Sequence, residues 1–223
     1  MPENWSVVYQ TLLEAFGPQH WWPADTPLEV MVGAILTQNT AWRNVEQAIA
    51  RLKASGSLEV RAILERPAEQ LEQDLRPAGY FRVKAVRLRA LCRFLEQQGC
   101  AEAPASLAEK GDTASLRQRL LDVHGIGEET ADSILLYALE KPVMVVDAYT
   151  RRLSQRMGWS GPRIAYASLQ KDVDAGLPPG DTGIRKELHA LIVQLGKEFC
   201  RARPRCPGCP LQKQCAHGRP VSH

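Results

Sequence analysis

The 223-residue sequence lacks the long apolar runs and repeating patterns that define several classes of protein. No stretch approaches the ~20 apolar residues that a membrane-spanning helix needs. The N-terminus has no basic segment followed by an apolar one, so no signal peptide is expected. No segment alternates between apolar and polar residues for long enough to predict a sheet. We therefore expect a soluble, cytoplasmic, all-α protein without membrane contact.

Charge is distributed unevenly along the chain. Residues 151–223 carry 13 Lys and Arg against 5 Asp and Glu, which leaves 15 against 20 in residues 1–150. A basic segment of this size suits a polyanionic partner. A solvated basic face without any partner is the alternative interpretation.

Cysteine is concentrated near the C-terminus, where four of the six cysteines fall within sixteen residues. In a cytoplasmic chain such a cluster indicates a metal site rather than disulfides. Zinc sites usually have two C-x2-C pairs with a longer gap, whereas one compact C-x5-C-x2-C-x5-C loop favours a [4Fe–4S] cluster. The predicted ligands are Cys200, Cys206, Cys209 and Cys215 in the loop 196–216. Zinc is the alternative metal for this site.

Two segments with helical periodicity meet at Gly125-Ile126-Gly127. Apolar residues recur at helical spacing up to Val123, and a new periodic run begins at Ala131. Glycine tolerates positive φ and lets another backbone approach, so the pattern predicts a tight turn between two helices. Free N–H groups at the start of the second helix favour an anion such as a DNA phosphate. The alternative is an ordinary helix–helix turn with a glycine C-cap.

A carboxylate follows this turn at short distance. The apolar run 143–146 ends at Asp147, which opens a predicted helix with a basic face of Arg151, Arg152 and Arg156. An Asp at a helix start is most often an N-cap. Its position after a phosphate-binding turn and before three arginines favours a functional role.

The segments VHGIGEETA (123–131) and VVDAYTRRL (145–153) resemble the helix-hairpin-helix and catalytic-aspartate signature of the endonuclease III superfamily of DNA glycosylases. The resemblance implies a two-domain, all-α fold. A six-helix barrel at 25–137 ends in the hairpin, and 1–24 with 138–223 form the second domain. It also implies an active cleft with Glu129 on one wall and Asp147 on the other. The family's cysteine loop has one more residue in its first gap, C-x6-C-x2-C-x5-C.

The resemblance further implies contacts to damaged double-stranded DNA. In the family, the turn that contains Gln38 and Asn39 carries the residue that fills the gap left by the extruded base. Helix capping by Thr37 or Thr40 is the alternative for this turn. The residues assigned to DNA are Gln38, Asn39, Gly125, Ile126, Gly127, Thr130 and Arg151.

Glu129 determines the predicted chemistry. Bifunctional members of the superfamily carry a lysine at this position, which forms a Schiff base with the sugar. A carboxylate cannot form an imine, so water must be the nucleophile, and Asp147 would stabilise the cationic sugar and orient the water. The prediction is a monofunctional DNA glycosylase of base excision repair, acting as a monomer at the nucleoid.

Three of the five tryptophans lie between Trp21 and Trp42. Core packing is the usual role of one Trp, but adjacent Trp21 and Trp22, held by Pro23, must point in different directions. Tryptophan faces attract cations by ~0.5–2 kcal/mol each, which suits a positively charged N3-alkylated purine. The set resembles the 3-methyladenine glycosylase branch, in which such aromatic residues sandwich the flipped base. The alternatives are excision of uracil, mismatched thymine or adenine, and non-catalytic binding of distorted DNA.

A long helix is predicted over residues 82–98. Val83 and Val86 are expected to face inward together with Leu91 and Leu95. The basic residues of this helix, Arg82, Lys84, Arg87 and Arg89, are expected on its exposed face, with contact to DNA as the alternative.

Overall fold

The computed structural model describes residues 3–218, and in that range it contains helices and connecting turns but no strand. The all-α prediction is therefore confirmed for the described residues. The α-helices, in chain order, are α1 Glu3–Phe16, α2 Pro27–Leu36, α3 Trp42–Ala54, α4 Val60–Glu65, α5 Ala68–Leu75, α6 Phe81–Gln97, α7 Thr113–Leu121, α8 Glu128–Ser133, α9 Ala148–Met157, α10 Tyr166–Ala175 and α11 Thr182–Glu198. The 3₁₀ segments are Arg76–Ala78 and Pro104–Lys110, and a π-helical segment, Ile134–Ala138, continues α8. None of the described helices is long and apolar enough to cross a membrane.

The chain divides into two compact units. Trp22–Lys141 form what we call the central unit, and the described residues up to Trp21 and from Pro142 onward form the terminal unit. The predicted first domain, 25–137, is slightly shorter than the central unit. The extension has a physical basis, because Trp22 packs against Tyr137 and the Lys141 amide donates to the Leu135 carbonyl.

The central unit is built around α2, in which every residue from Leu28 to Leu36 is buried. A helix that is apolar on all sides requires neighbours on all sides, and α3, α6 and the π-helical segment supply them. Glu29 is the one charged residue of α2, and its carboxylate lies 2.8 Å from the Lys53 ammonium. Thr26 caps the helix by accepting a hydrogen bond from the Glu29 amide at 3.2 Å, as its preference for N-cap positions predicts.

The terminal unit has its own apolar core, formed by residues of α1, α9, α10 and α11. Trp5 is fully buried, meets Trp159 edge to face at 5.0 Å and donates its indole N–H to Asp172 at 3.0 Å. Edge-to-face contact and a satisfied N–H are the geometry that a buried indole favours. The apolar stripe of α1 therefore packs into this core.

The predicted orientation of α6 is wrong in its first turns. Val83 and Val86 are 47% and 55% exposed, whereas Lys84 is only 1% exposed. The buried stripe of α6 runs through Lys84, Leu88, Leu91 and Leu95, which follow helical spacing. Lys84 can occupy this stripe because its ammonium finds buried hydrogen-bond acceptors, so its burial does not leave an unpaired charge.

Candidate active site and DNA interface

The Gly125-Ile126-Gly127 hairpin joins α7 to α8 as predicted. Gly125 has φ +86°, and a Cβ at this position would collide with the side chain of Arg87. Ile126 is buried, and its amide donates to the Val123 carbonyl at 3.1 Å. Gly127 caps α8, and the space where its Cβ would stand is open. Gly125 is therefore required by conformation and packing, whereas Gly127 leaves room for a ligand to approach the backbone.

The turn between α2 and α3 separates the two residues predicted to enter DNA. Gln38 donates to the Gly125 carbonyl and to the Thr130 hydroxyl, both at 3.0 Å, and accepts from Arg87 at 2.5 Å. Asn39 is exposed and has φ +53°. Gln38 thus fastens the turn to the hairpin, while Asn39 stands at the exposed apex.

Trp22 and Trp42 contact each other in the central unit. Their rings meet edge to face with centroids 5.2 Å apart, and Trp22 also lies 4.9 Å from the ring of Tyr137. A Cβ at Gly33 of α2 would come within 3.3 Å of Trp22, so this glycine lets the indole pack closely on the helix. Pro23 is exposed beside Trp22.

Trp21, although adjacent in sequence, belongs to the terminal unit. Its ring stacks on His189 of α11 with centroids 5.5 Å apart and planes inclined by 27°. The Lys197 ammonium lies 5.7 Å from the Trp21 centroid. The prediction that the paired tryptophans point in different directions is borne out by these separate contacts.

Asp147 is the N-cap of α9 and is 8% exposed. Its Oδ1 accepts from the Thr150 amide at 2.7 Å and from the Thr150 hydroxyl at 2.9 Å. Its Oδ2 lies 3.7 Å from His189 Nε2, close enough for charge attraction but too far for a good hydrogen bond. The Asp147 side chain therefore serves as a helix cap with one oxygen and faces an imidazole with the other.

These contacts decide the charge of Asp147. Burial alone would raise the pKa of the Asp147 carboxyl, but the interaction with His189 and the hydrogen bonds from Thr150 more than offset it. The pKa of Asp147 consequently lies below its ordinary value. The carboxylate is therefore ionised at neutral pH, which is the state needed to stabilise a developing positive charge.

Glu129 lies in the first turn of α8 and is exposed. Its backbone carbonyl accepts from the Ser133 hydroxyl at 2.7 Å. Thr130, the next residue, is buried and accepts from Gln38. No lysine occupies position 129, so the imine-forming amine of bifunctional enzymes is absent from this position.

Arg151 is engaged within the terminal unit. Its guanidinium donates to the Ile164 carbonyl at 2.8 Å and lies 5.7 Å from the ring centroid of Tyr166. These contacts orient α9 against the segment that follows it. Contact of Arg151 with DNA remains a prediction.

All four cysteines predicted as metal ligands line one cavity. Burial, followed by the neighbouring thiols, raises the pKa of Cys209. The Arg156 guanidinium lies 3.2 Å from Cys200 Sγ and donates to the carbonyls of Arg201 and Ala202. Among residues 3–218 no group of three or more potential ligands is close enough, as the side chains stand, to hold a metal ion. The donor set nevertheless suits an anionic thiolate-bound group, because four thiols line one cavity and Arg156 lies beside one of them.

An all-helical fold, a Gly-Ile-Gly turn and a buried N-capping aspartate define a helix-hairpin-helix protein. A family model described as "HhH-GPD superfamily base excision DNA repair protein" matches residues 32–190. This protein therefore belongs to the HhH-GPD superfamily of base excision DNA repair proteins.

Relatives cover most of the chain. "Putative DNA repair glycosylase" of Methanocaldococcus jannaschii is 46% identical over 209 residues, which span 93% of this chain and 94% of that protein. Endonuclease III of Thermotoga maritima is 28% identical over 197 residues, covering 85% and 82% of the two chains.

Solved structures share the fold. A trapped endonuclease III–DNA covalent intermediate superposes with a TM-score of 0.82 at 24% identity and covers 98% of this chain and 97% of that one. The Helicobacter pylori 3-methyladenine DNA glycosylase bound to 1,N6-ethenoadenine gives a TM-score of 0.75 at 26% identity, with coverage of 88% and 98%.

Several residues of the site were missed by sequence reasoning. Thr150 could have been found, because an Asp three residues before a Thr at a helix start is a capping pattern. His189 carried no such signal, since it lies 42 positions after Asp147 on another helix. Lys84 and Arg87 were assigned to a solvent-exposed face, and only the packing of α6 reveals their internal partners.

Proposed function

We propose that this protein is a monofunctional DNA glycosylase that hydrolyses the N-glycosidic bond of N3-alkylated purines in double-stranded DNA. The environment of Asp147 carries the proposal. Its carboxylate is buried, kept ionised, and fixed through one oxygen by Thr150. A fixed anion of this kind stabilises the oxocarbenium-like sugar that forms as a glycosidic bond breaks.

The proposed reaction balances without a covalent enzyme intermediate. The bond between C1′ and the purine nitrogen breaks, and its electron pair leaves with the base. An N3-alkylated purine already carries a positive charge, so it departs neutral and needs no proton donor. The oxygen of water bonds to C1′, and the proton that this water loses passes to Asp147 or to solvent. Glu129 cannot form an imine, so the strand remains intact at an abasic site.

The tryptophans supply a reason to prefer a cationic base. Trp22 and Trp42 are in edge-to-face contact in the central unit, and indole rings attract a positively charged purine. Trp21 already has the Lys197 ammonium near its ring, which disfavours a second cation there. The 26% identical H. pylori 3-methyladenine glycosylase, solved with 1,N6-ethenoadenine, adds support for a modified purine as substrate.

DNA backbone contact is assigned to the hairpin. Gly127 is open on the side where its Cβ would stand, so a phosphate can approach the amides at the start of α8. Asn39 is the better of the two candidates for filling the gap in the duplex, because it is exposed while Gln38 is tied to the hairpin. Solved endonuclease III structures of the same fold are complexes with DNA.

Cys200, Cys206, Cys209 and Cys215 would hold a [4Fe–4S] cluster. When bound, the cluster would supply a structural crosslink for a loop that carries exposed Arg201, Arg203 and Arg205. Purified protein should then be yellow-brown, with broad absorbance near ~400 nm from thiolate-to-iron charge transfer. If the purified protein is colourless and holds one zinc per chain, zinc occupies this site instead of the cluster.

The decisive experiment is to incubate the protein with alkylated DNA and identify every base released. Release of N3-alkylated purines that leaves alkali-labile but intact strands supports the full proposal. Release of uracil, mismatched thymine or adenine instead would retain the glycosylase and overturn the substrate. Binding to distorted duplex with no base released would favour the non-catalytic alternative.

A further inference from the structure

Lys84 is the most deeply buried cation of the central unit. Its ammonium donates to the Leu36 carbonyl at 2.8 Å, the Thr40 hydroxyl at 2.7 Å and the Ala78 carbonyl at 2.7 Å. An ammonium has three N–H donors, so these three acceptors use all of them. Each acceptor belongs to a different segment: the end of α2, the turn before α3, and the 3₁₀ turn before α6.

The turn at Thr37–Thr40 needs to be held in place. Asn39 at its apex adopts φ +53°, a left-handed conformation that asparagine tolerates better than other non-glycine residues but that still costs free energy. The Thr40 hydroxyl accepts from Lys84 and donates to the Ala78 carbonyl at 2.5 Å. Lys84 and Thr40 together therefore connect this turn to the 3₁₀ turn at Arg76–Ala78.

We propose that Lys84 is a positioning residue that fixes the Thr37–Thr40 turn against the Arg76–Ala78 turn and so sets where Asn39 stands when DNA binds. The effect on DNA rests on the proposed function of Asn39. The connection between the two turns stands on the hydrogen bonds alone, so the two parts can fail separately.

A lysine suits this place better than any apolar side chain. Removing the ammonium would leave three buried oxygens short of a donor, and each unsatisfied oxygen destabilises the fold where water cannot replace the donor. The charged group that acts on Lys84 is Arg87 of the same helix, while α2 and the two turns present uncharged oxygens. Burial and then Arg87 lower the pKa of Lys84 to about 8, so the ammonium form prevails at neutral pH.

Hydrogen exchange tests the connection directly. The Thr40 amide donates to the Thr37 carbonyl at 3.1 Å, and its exchange therefore reports opening of the turn. Lys84→Met should reduce protection of this amide by about tenfold, the worth of one net hydrogen bond. The matched control is Arg61→Met, which removes an exposed cation paired only at the surface with Glu102 and should leave Thr40 protection unchanged.

A spectroscopic measurement tests the consequence for DNA. We would place 2-aminopurine opposite an abasic-site analogue and record the rise in fluorescence when the protein fills the gap and disturbs stacking. Lys84→Met and Asn39→Ala should both lose most of this rise, and Lys84→Met should bind undamaged duplex with unchanged affinity. The single-turnover rate of alkylpurine release should fall ~10–100-fold, the scale expected for a misplaced positioning group.

Thr40→Val provides a second route if Lys84→Met fails to fold. It removes the hydroxyl that joins Lys84 to Ala78 and keeps the side-chain shape, so it should give the same losses in smaller measure. Unchanged Thr40 protection in a folded Lys84→Met or Thr40→Val variant overturns the inference. Normal gap-filling fluorescence with reduced protection would restrict Lys84 to local stability and also overturn the positioning role. A wild-type protein that releases no alkylpurine defeats the proposed function, while the exchange result still decides the connection.

Discussion

The two units each bury one charged side chain at a place that we assign to function, and they treat that charge in opposite ways. Asp147 of the terminal unit faces His189, and its partners hold its pKa below the usual range. Lys84 of the central unit faces neutral oxygens and a like-charged Arg87, and its pKa falls to about 8. A lowered pKa favours the charged form of an acid but the neutral form of a base.

The two buried charges differ in their proposed roles: the Asp147 carboxylate acts in the reaction, whereas the Lys84 ammonium holds structural elements together. Asp147 must stay anionic, so the interaction with His189 and the hydrogen bonds from Thr150 compensate for its burial. Lys84 has to bring three oxygens together, and the structure accepts a less favourable charged form to do so. Opposite responses to pH follow, and these can be measured.

The largest expected effect tests the role of the Asp147 charge. Asp147→Asn keeps the shape and removes the charge, so alkylpurine release should fall ~10²–10³-fold, as when other electrostatic stabilisers are lost. Damaged-DNA binding should survive, and single-turnover release with electrophoretic binding assays separates the two quantities. Near-normal release would remove Asp147 from the mechanism. Borohydride should trap no covalent adduct with the wild-type protein, and an adduct would overturn its monofunctional assignment.

The next effect concerns the hairpin. Gly127→Asp places a negative charge where a phosphate is proposed to lie, so affinity should fall about tenfold or more and about equally for damaged and undamaged duplex. Gly127→Asn is the matched control, since it adds a side chain of the same size at the same open position without the charge. Fluorescence anisotropy at fixed salt measures both variants. A loss confined to damaged duplex would show that the hairpin does not act through the backbone.

A smaller effect tests the pairing of Asp147 with His189. His189→Gln removes the imidazole whose interaction lowers the pKa of Asp147, so this pKa should rise and the acid limb of the release-rate profile should move to higher pH. Thr150→Val should move the limb in the same direction, because it removes the side-chain hydrogen bond to Asp147 Oδ1. An acid limb that stays in place in both variants would assign it to another group.

The smallest effect tests the opposite case, Lys84. The folded-state pKa of about 8 lies below the ~10.4 of an unfolded lysine, so the unfolded chain binds more protons between these values. The free energy of unfolding of the wild type, measured relative to Lys84→Met, should therefore rise as pH increases from about 8 to about 10.4. Parallel urea denaturation series at several pH values measure this difference. A difference independent of pH would mean that Lys84 is not buried as a cation.

Local patterns predicted most of the fold and some of the site. The hairpin glycines, the capping position of Asp147 and the absence of strands between residues 3 and 218 follow from spacing and composition, which act over a few residues. The phase of α6 did not follow, because Val83 and Val86 look apolar while Lys84 pairs with residues up to 48 positions away. His189 beside Asp147 and Gln38 on the hairpin are likewise tertiary contacts without a local signature.

The double use of Asp147 has a consequence for how this position can change during evolution. Loss of the cap would destabilise α9 by about 1 kcal/mol, whatever happens to base release. Asparagine, serine and threonine can cap a helix without supplying an anion, so a lineage that abandoned the chemistry would still be held to these few residues. Persistence of a polar residue at this position therefore reports selection on folding, and only the choice of aspartate over asparagine reports selection on the reaction.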